Sequence, residues 1–320
     1  NNVIKKPFIQ MKAILFPGQG SQLVGMGSEF YNNFPSVKKI FSEADETVNF
    51  KISKIILEGP ESELKLTQNT QPSILIVSYA IFSVLKNEFN FSMEKIKYFA
   101  GHSLGEYSAL LCSGSLTFKD ALYLLFERGK SMQEAVPVGK GCMLAVLGAT
   151  IEQINDSMRQ LKNKGVCEIA NDNAEGQIIV SGNTEMIEEL KNILKEKKKK
   201  SIILPVSAPF HCSLMNPAAV KMKEKINSIN FKKPNCEIVS NVTSLPTNNP
   251  EDIKNLLIKQ IYSKVRWRES MLFMENKKIN NFIEIGPGKT LTGLIKRILP
   301  KSNSFSINSI DDIKKLNNES

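Results

Sequence analysis

Long apolar runs are missing from this chain of 320 residues. None approaches the roughly 20 residues that a membrane-crossing helix needs, which excludes a transporter built from such helices and predicts no membrane partner. Histidine is scarce. With only His102 and His211 available, a multi-histidine metal centre lacks ligands, no bound metal is expected, and any imidazole base is one of these two. The five cysteines (Cys112, Cys142, Cys167, Cys212, Cys236) are odd in number, far apart and without a C-x-x-C pair. That spacing argues against a disulfide framework or zinc site and for a reducing interior. The single Trp, six Tyr and lack of a recognised binding motif speak against a nucleic-acid partner, although Lys and Arg (42) exceed Asp and Glu (32) and give +10. The excess predicts an acidic partner of some kind.

What is present, 42% hydrophobic residues over this length, suffices for one large domain or two ordinary ones. The first ten residues, NNVIKKPFIQ, precede a Met and a strand at 12–16 and read as a processing remnant. Helical patterns follow at 35–47 and 72–88, then a strand at 97–100 and helices at 105–113 and 118–135; the alternation predicts an α/β sheet. After VPVGKG (136–141) the order becomes β-α-β-β-α-β, with helices at 151–163 and 184–197, the pattern of a ferredoxin-like unit. Beyond Pro209 come a helix at 217–228, a strand at 237–241, a helix at 251–262, a strand at 281–286 and a final helix after PGKT. The predicted organisation is a discontinuous core, 11–138 and 208–310, with a small inserted subdomain, 139–207. The KEKKKK run (195–200) reads as a solvated helix end.

Gly101-His102-Ser103-Leu104-Gly105 is a G-x-S-x-G sequence between a predicted strand and a predicted helix, the context of a nucleophile elbow. The glycines permit the tight turn, Ser103 takes an exposed strained position, and the Leu104 N–H faces the place where an oxyanion would develop. His102 should project away from Ser103, which leaves His211, on a loop after Pro209, as the candidate base. No Asp or Glu stands out to orient it. The FPGQGSQ turn (16–22) fits neither nucleotide-binding spacing and reads as the source of a second oxyanion N–H. Arg128, late in an apolar helix, is either a surface residue or a guanidinium fork for a substrate carboxylate.

Several blocks, among them FPGQGSQ, GHSLGEYSALLCSG (101–114), RGKSMQEAVPVGKGCM (128–143), PVSAPFHCSLM (205–215), SNVTS (240–244) and EIGPGKTLTGLIKRI (284–298), resemble the malonyl-CoA:acyl carrier protein transacylases of type II fatty-acid synthesis. The resemblance implies an α/β-hydrolase-like core with a ferredoxin-like insertion. It also implies Ser103 as nucleophile, His211 as base, Arg128 as malonate ligand, the Gln19 and Leu104 N–H groups as oxyanion hole, and the Gln260 backbone carbonyl as orienter of the histidine. Malonyl-CoA and phosphopantetheinylated, acidic acyl carrier protein are the implied substrates, with no cofactor. A monomer is expected. A serine thioesterase or esterase is the rival within enzymes, and a non-catalytic nucleic-acid-binding protein the rival outside them. The Asn/Lys/Ile-rich composition and the non-Met start raise the expectation of a plastid (apicoplast) protein, with bacterial cytoplasm as the alternative.

Overall fold

The computed structural model describes residues 9–319, and most of the stretch read as a processing remnant lies outside them. In chain order its strands are β1 (Lys12–Phe16), β2 (Ile96–Gly101), β3 (Gly141–Leu147), β4 (Cys167–Ala174) and β5 (Gln177–Asn183). They continue with β6 (Lys200–Ile203), β7 (Glu237–Val239), β8 (Pro246–Thr247), β9 (Asn281–Ile285) and β10 (Asn303–Ile307). One sheet has the order β10-β9-β1-β2-β7-β8, parallel throughout except for the edge strand β8. The other, β4-β5-β3-β6, is antiparallel and carries the helices Ile151–Met158 and Thr184–Glu196. That order is ferredoxin-like, so the expected α/β core with such an insertion is the architecture observed.

Both faces of the parallel sheet are covered, which is why its central strands read as apolar runs. Alternate residues of β1 serve opposite cores. Ile14 and Phe16 pack with the helices Thr67–Asn87 and Phe118–Glu134, while Ala13 and Leu15 pack with Trp267–Asn276 and Thr290–Ile298. From β1 the chain steps to β2 and then β7 in one direction, whereas β9 and β10 lie on the other side. Ligands of open α/β sheets bind at the carboxyl ends of strands where the order reverses in this way. Here that edge is formed by the loops after Phe16, Gly101 and Ile285.

Several boundaries differ from the expectation. The helix predicted at 72–88 begins at Thr67, because the buried polar residues of its first turn find partners: Thr67 Oγ1 donates to Gln19 Oε1, Thr70 Oγ1 to the Leu66 carbonyl and Asn69 Nδ2 to that of Glu63. The helix predicted at 151–163 ends at Met158, since the Glu189 carboxylate accepts the Lys162 and Asn163 N–H groups of the departing chain. The strand at 237–241 stops at Val239. Unforeseen elements include the helix Trp267–Asn276, edge strand β10 and a helix Ile310–Asn318, whose Ile313 and Leu316 are buried in the core beyond residue 310. No helix among the described residues is long and apolar enough to cross a membrane.

Candidate active site

The G-x-S-x-G turn connects β2 to the helix Gly105–Cys112. Its glycines are required by close approach: a Cβ on Gly101 would lie 1.9 Å from the Gly105 backbone, and one on Gly105 would lie 2.3 Å from the Phe16 carbonyl oxygen. No larger residue fits either place. Ser103 itself has φ 54°, a left-handed conformation that disfavours a non-glycine residue by about 1–2 kcal/mol and is typical of functional strain. The turn thereby lifts the serine hydroxyl out of the sheet edge.

Ser103 and His211, 108 positions apart in sequence, meet there with Oγ and Nε2 2.7 Å apart. His211 Nδ1 lies 2.9 Å from the Gln260 backbone carbonyl, so Nδ1 carries the proton and Nε2 is left to accept that of Ser103. A carbonyl thus occupies the position where a triad would have a carboxylate. Burial, and next the charge of Arg128, push the His211 imidazole down to about 3, with the Gln260 carbonyl opposing. The ring is neutral at physiological pH. His102 points elsewhere, with Nε2 2.7 Å from Asn173 Oδ1 and its ring beside Trp267.

Arg128 is fully buried, which removes the surface reading. Its Nη1 donates to Gln71 Oε1 (2.6 Å), and its Nη2 donates to Gln260 Oε1 (2.9 Å) and to Ser103 Oγ (3.1 Å). Among the described residues it forms no ion pair within 4.0 Å, and its Nε has no hydrogen-bond partner. A buried cation beside a serine–histidine pair is therefore prepared for an anion. These groups line an inner cavity of about 90 Å³, which also receives Gln19, Leu104, Met132 and Phe210. It shares Gln19, His102 and Asn171 with an outer chamber of about 310 Å³ that lies between the FPGQGSQ loop and the antiparallel sheet's side of the cleft. Among the described residues, no hydrogen bond takes up the Gln19 or Leu104 N–H.

The model of the acyl transferase domain family matches residues 14–315. The chain belongs to the acyl transferase family. A "Malonyl CoA-acyl carrier protein transacylase" of Bacillus subtilis (strain 168) is 42% identical over 304 residues, 94% of this acyltransferase and 95% of that protein. A crystal structure of an acyl-carrier-protein-S-malonyltransferase from Bartonella henselae superposes with a TM-score of 0.93 at 39% identity, covering 97% of this chain and 99% of that one. A type II PKS acyl-carrier protein in complex with its malonyl-transacylase gives 0.93 at 36% identity, with 97% and 100% covered. Both organisms named are bacteria, and the plastid expectation finds no support in these relatives.

The acyltransferase site contains polar groups that the sequence reading did not single out: Gln71, Glu106, Asn241 and the side chain of Gln260. Glu106 alone carried a usable signal, being the one charged residue in an otherwise uncharged and wholly buried helix, GEYSALLC. Its carboxylate accepts the Asn241 N–H. Burial pushes it up to about 8 against the opposing pulls of that N–H, of Arg128 and of Gln260. An unfolded chain ionises the group from about 4.5, so between pH 4.5 and 8 the folded state binds the extra proton and loses stability as pH rises. Glu106→Gln removes that ionisation while keeping the acceptor. Its Tm should match the wild type's below pH 5 and exceed it by a margin that grows toward pH 8; a margin independent of pH would contradict the protonated state.

Proposed function

We propose that this acyltransferase moves the malonyl group of malonyl-CoA to the phosphopantetheine thiol of acyl carrier protein, through malonyl-Ser103, for type II fatty-acid elongation. Ser103 Oγ attacks the thioester carbon while its proton passes to His211 Nε2, and the Gln19 and Leu104 N–H groups receive the oxyanion. Collapse breaks the C–S bond, and His211 returns the proton to the departing coenzyme A sulfur. The carrier thiol then enters, gives its proton to His211 and attacks the ester carbon, and as the C–O bond breaks His211 returns that proton to Ser103 Oγ. One thioester replaces another. The transfer as written needs no metal or redox cofactor. The catalytic groups fall in the core, 11–138 and 208–310, and the subdomain 139–207 forms the facing wall of the cleft. The names of the relatives support the reading, and their bacterial origin favours the bacterial cytoplasm over a plastid.

The observation that carries the malonyl assignment is the buried, unpaired Arg128 at 3.1 Å from Ser103 Oγ. A thioesterase for neutral acyl chains would have to leave that cation uncompensated in a dry pocket, whereas a malonate carboxylate completes it. Arg128→Ala should lower malonyl transfer on the order of 10²–10³-fold, equivalent to about 3–4 kcal/mol, the lower part of the range lost when a buried ion pair is broken from one side. Acetyl transfer should suffer far less. Arg128→Lys should recover only part of the malonyl activity, since a point charge lacks the fork. Rates of both acyl groups measured side by side decide the matter, and an unmoved acetyl-to-malonyl ratio would return Arg128 to a purely structural role.

A further inference from the structure

Strand β7 pairs with β2 only as far as Val239, opposite Ala100. Two residues further on, a side chain continues the pairing. The carboxamide of the fully buried Asn241 donates from Nδ2 to the Gly101 carbonyl (2.8 Å) and accepts the Ser103 N–H at Oδ1 (2.8 Å). It thus pairs with the turn on both sides of His102, as a neighbouring strand would. Ser103 needs such a hold because its left-handed backbone is intrinsically disfavoured.

The same Oδ1 accepts from Gln260 Nε2 (3.2 Å), which also donates to the Ser103 carbonyl (3.0 Å). Gln260 in turn accepts Arg128 Nη2 on its side chain and His211 Nδ1 on its backbone carbonyl. Asn241 is therefore tied to the nucleophile directly and to base and cation through one intermediary. Its own backbone is pinned from two directions: the N–H donates to Glu106, and the carbonyl accepts the Arg266 N–H (2.9 Å).

We propose that Asn241 is a positioning residue for acyl transfer, whose carboxamide holds Ser103 in the conformation that presents Oγ to His211. The inference rests on Ser103 being the nucleophile. Asn241 is not among the residues lining the inner cavity, so it should govern the rate of acylation and leave the choice of acyl group alone, the opposite of Arg128. Loss of the carboxamide leaves a buried N–H and a buried carbonyl unpaired and frees the turn to relax.

The test compares the wild type with Asn241→Ala and Asn241→Asp in the full chain. Two quantities are read: the fraction of sites acylated, and the single-turnover rate constant per acylated site. The probes are malonyl-CoA, acetyl-CoA and p-nitrophenyl acetate, an activated ester that bypasses coenzyme A recognition. Asn241→Ala is expected to lower the rate constant per site about 10- to 100-fold, in line with the loss of one to two buried hydrogen bonds, and equally for all three probes, with KM for malonyl-CoA little changed. Asn241→Asp keeps the acceptor and loses the donor, so it should fall between. Fewer active sites that each react at the wild-type rate, or a loss confined to malonyl-CoA, would overturn the proposal. Should the alanine variant not fold, a wild-type rate constant per site in Asn241→Asp would overturn it alone. Wild-type reaction with the ester but not with malonyl-CoA would sink the malonyl assignment, and the ester rates would still decide the role of Asn241.

Discussion

Ser103→Ala should form no acyl-enzyme and lose transfer by a factor on the order of 10⁶, the scale seen when a catalytic serine is removed. The chain should remain folded. The change deletes one hydroxyl oxygen and no core volume, Arg128 Nη2 keeps Gln260 as acceptor, and His211 Nδ1 keeps its carbonyl. Intact mass after exposure to malonyl-CoA, together with a thermal melt, checks both halves. A malonyl adduct on the alanine variant would remove Ser103 from its assigned role.

His211→Ala carries the next largest effect, a loss on the order of 10²–10⁴-fold in both half-reactions, as for removal of a positioned general base. The pH dependence is the sharper test. A base works when neutral, and burial with the nearby Arg128 charge pushes His211 down to about 3, so the neutral form persists well below the ordinary histidine range near 6.5. In the free enzyme kcat/KM should therefore stay flat from pH 7 to pH 5, provided the protein remains folded. Once a malonate carboxylate neutralises Arg128, the largest charge opposing protonation is cancelled. The acid limb of kcat should then lie at higher pH than that of kcat/KM. A limb near pH 6.5 in kcat/KM would contradict the buried, neutral imidazole.

The strand–turn–helix around Ser103 was legible because its signal is local: two glycines that tolerate no Cβ, an apolar strand before and an apolar helix after. His211 was legible by scarcity. Gln71 and Asn241 were not, since each acts across the fold, on partners 57 and 138 positions away, and a single polar residue leaves no periodic trace. The same cause hid the true start of the helix Thr67–Asn87. Thr67 donates to Gln19 Oε1 and Gln71 accepts from Arg128, so the helix opens with polar residues because it faces the site. Strand β10, at the sheet edge with residues NSFSI only partly covered, lacks the apolar run that exposed β1 and β9. The helix after it did carry a local mark, the Ser309–Asp312 capping box, ahead of a weak apolar stripe of Ile313 and Leu316.

Malonyl-CoA should leave its acyl group on Ser103, and a carrier thiol, not water, should remove it. Mass analysis of the intact chain after mixing with malonyl-CoA, then after addition of phosphopantetheinylated acyl carrier protein, tests this most directly. One malonyl group should appear on the chain, located by peptide mapping on Ser103, and then disappear as the carrier protein gains it. Absence of the adduct, or its loss to free malonate with the carrier protein unmodified, would contradict this route.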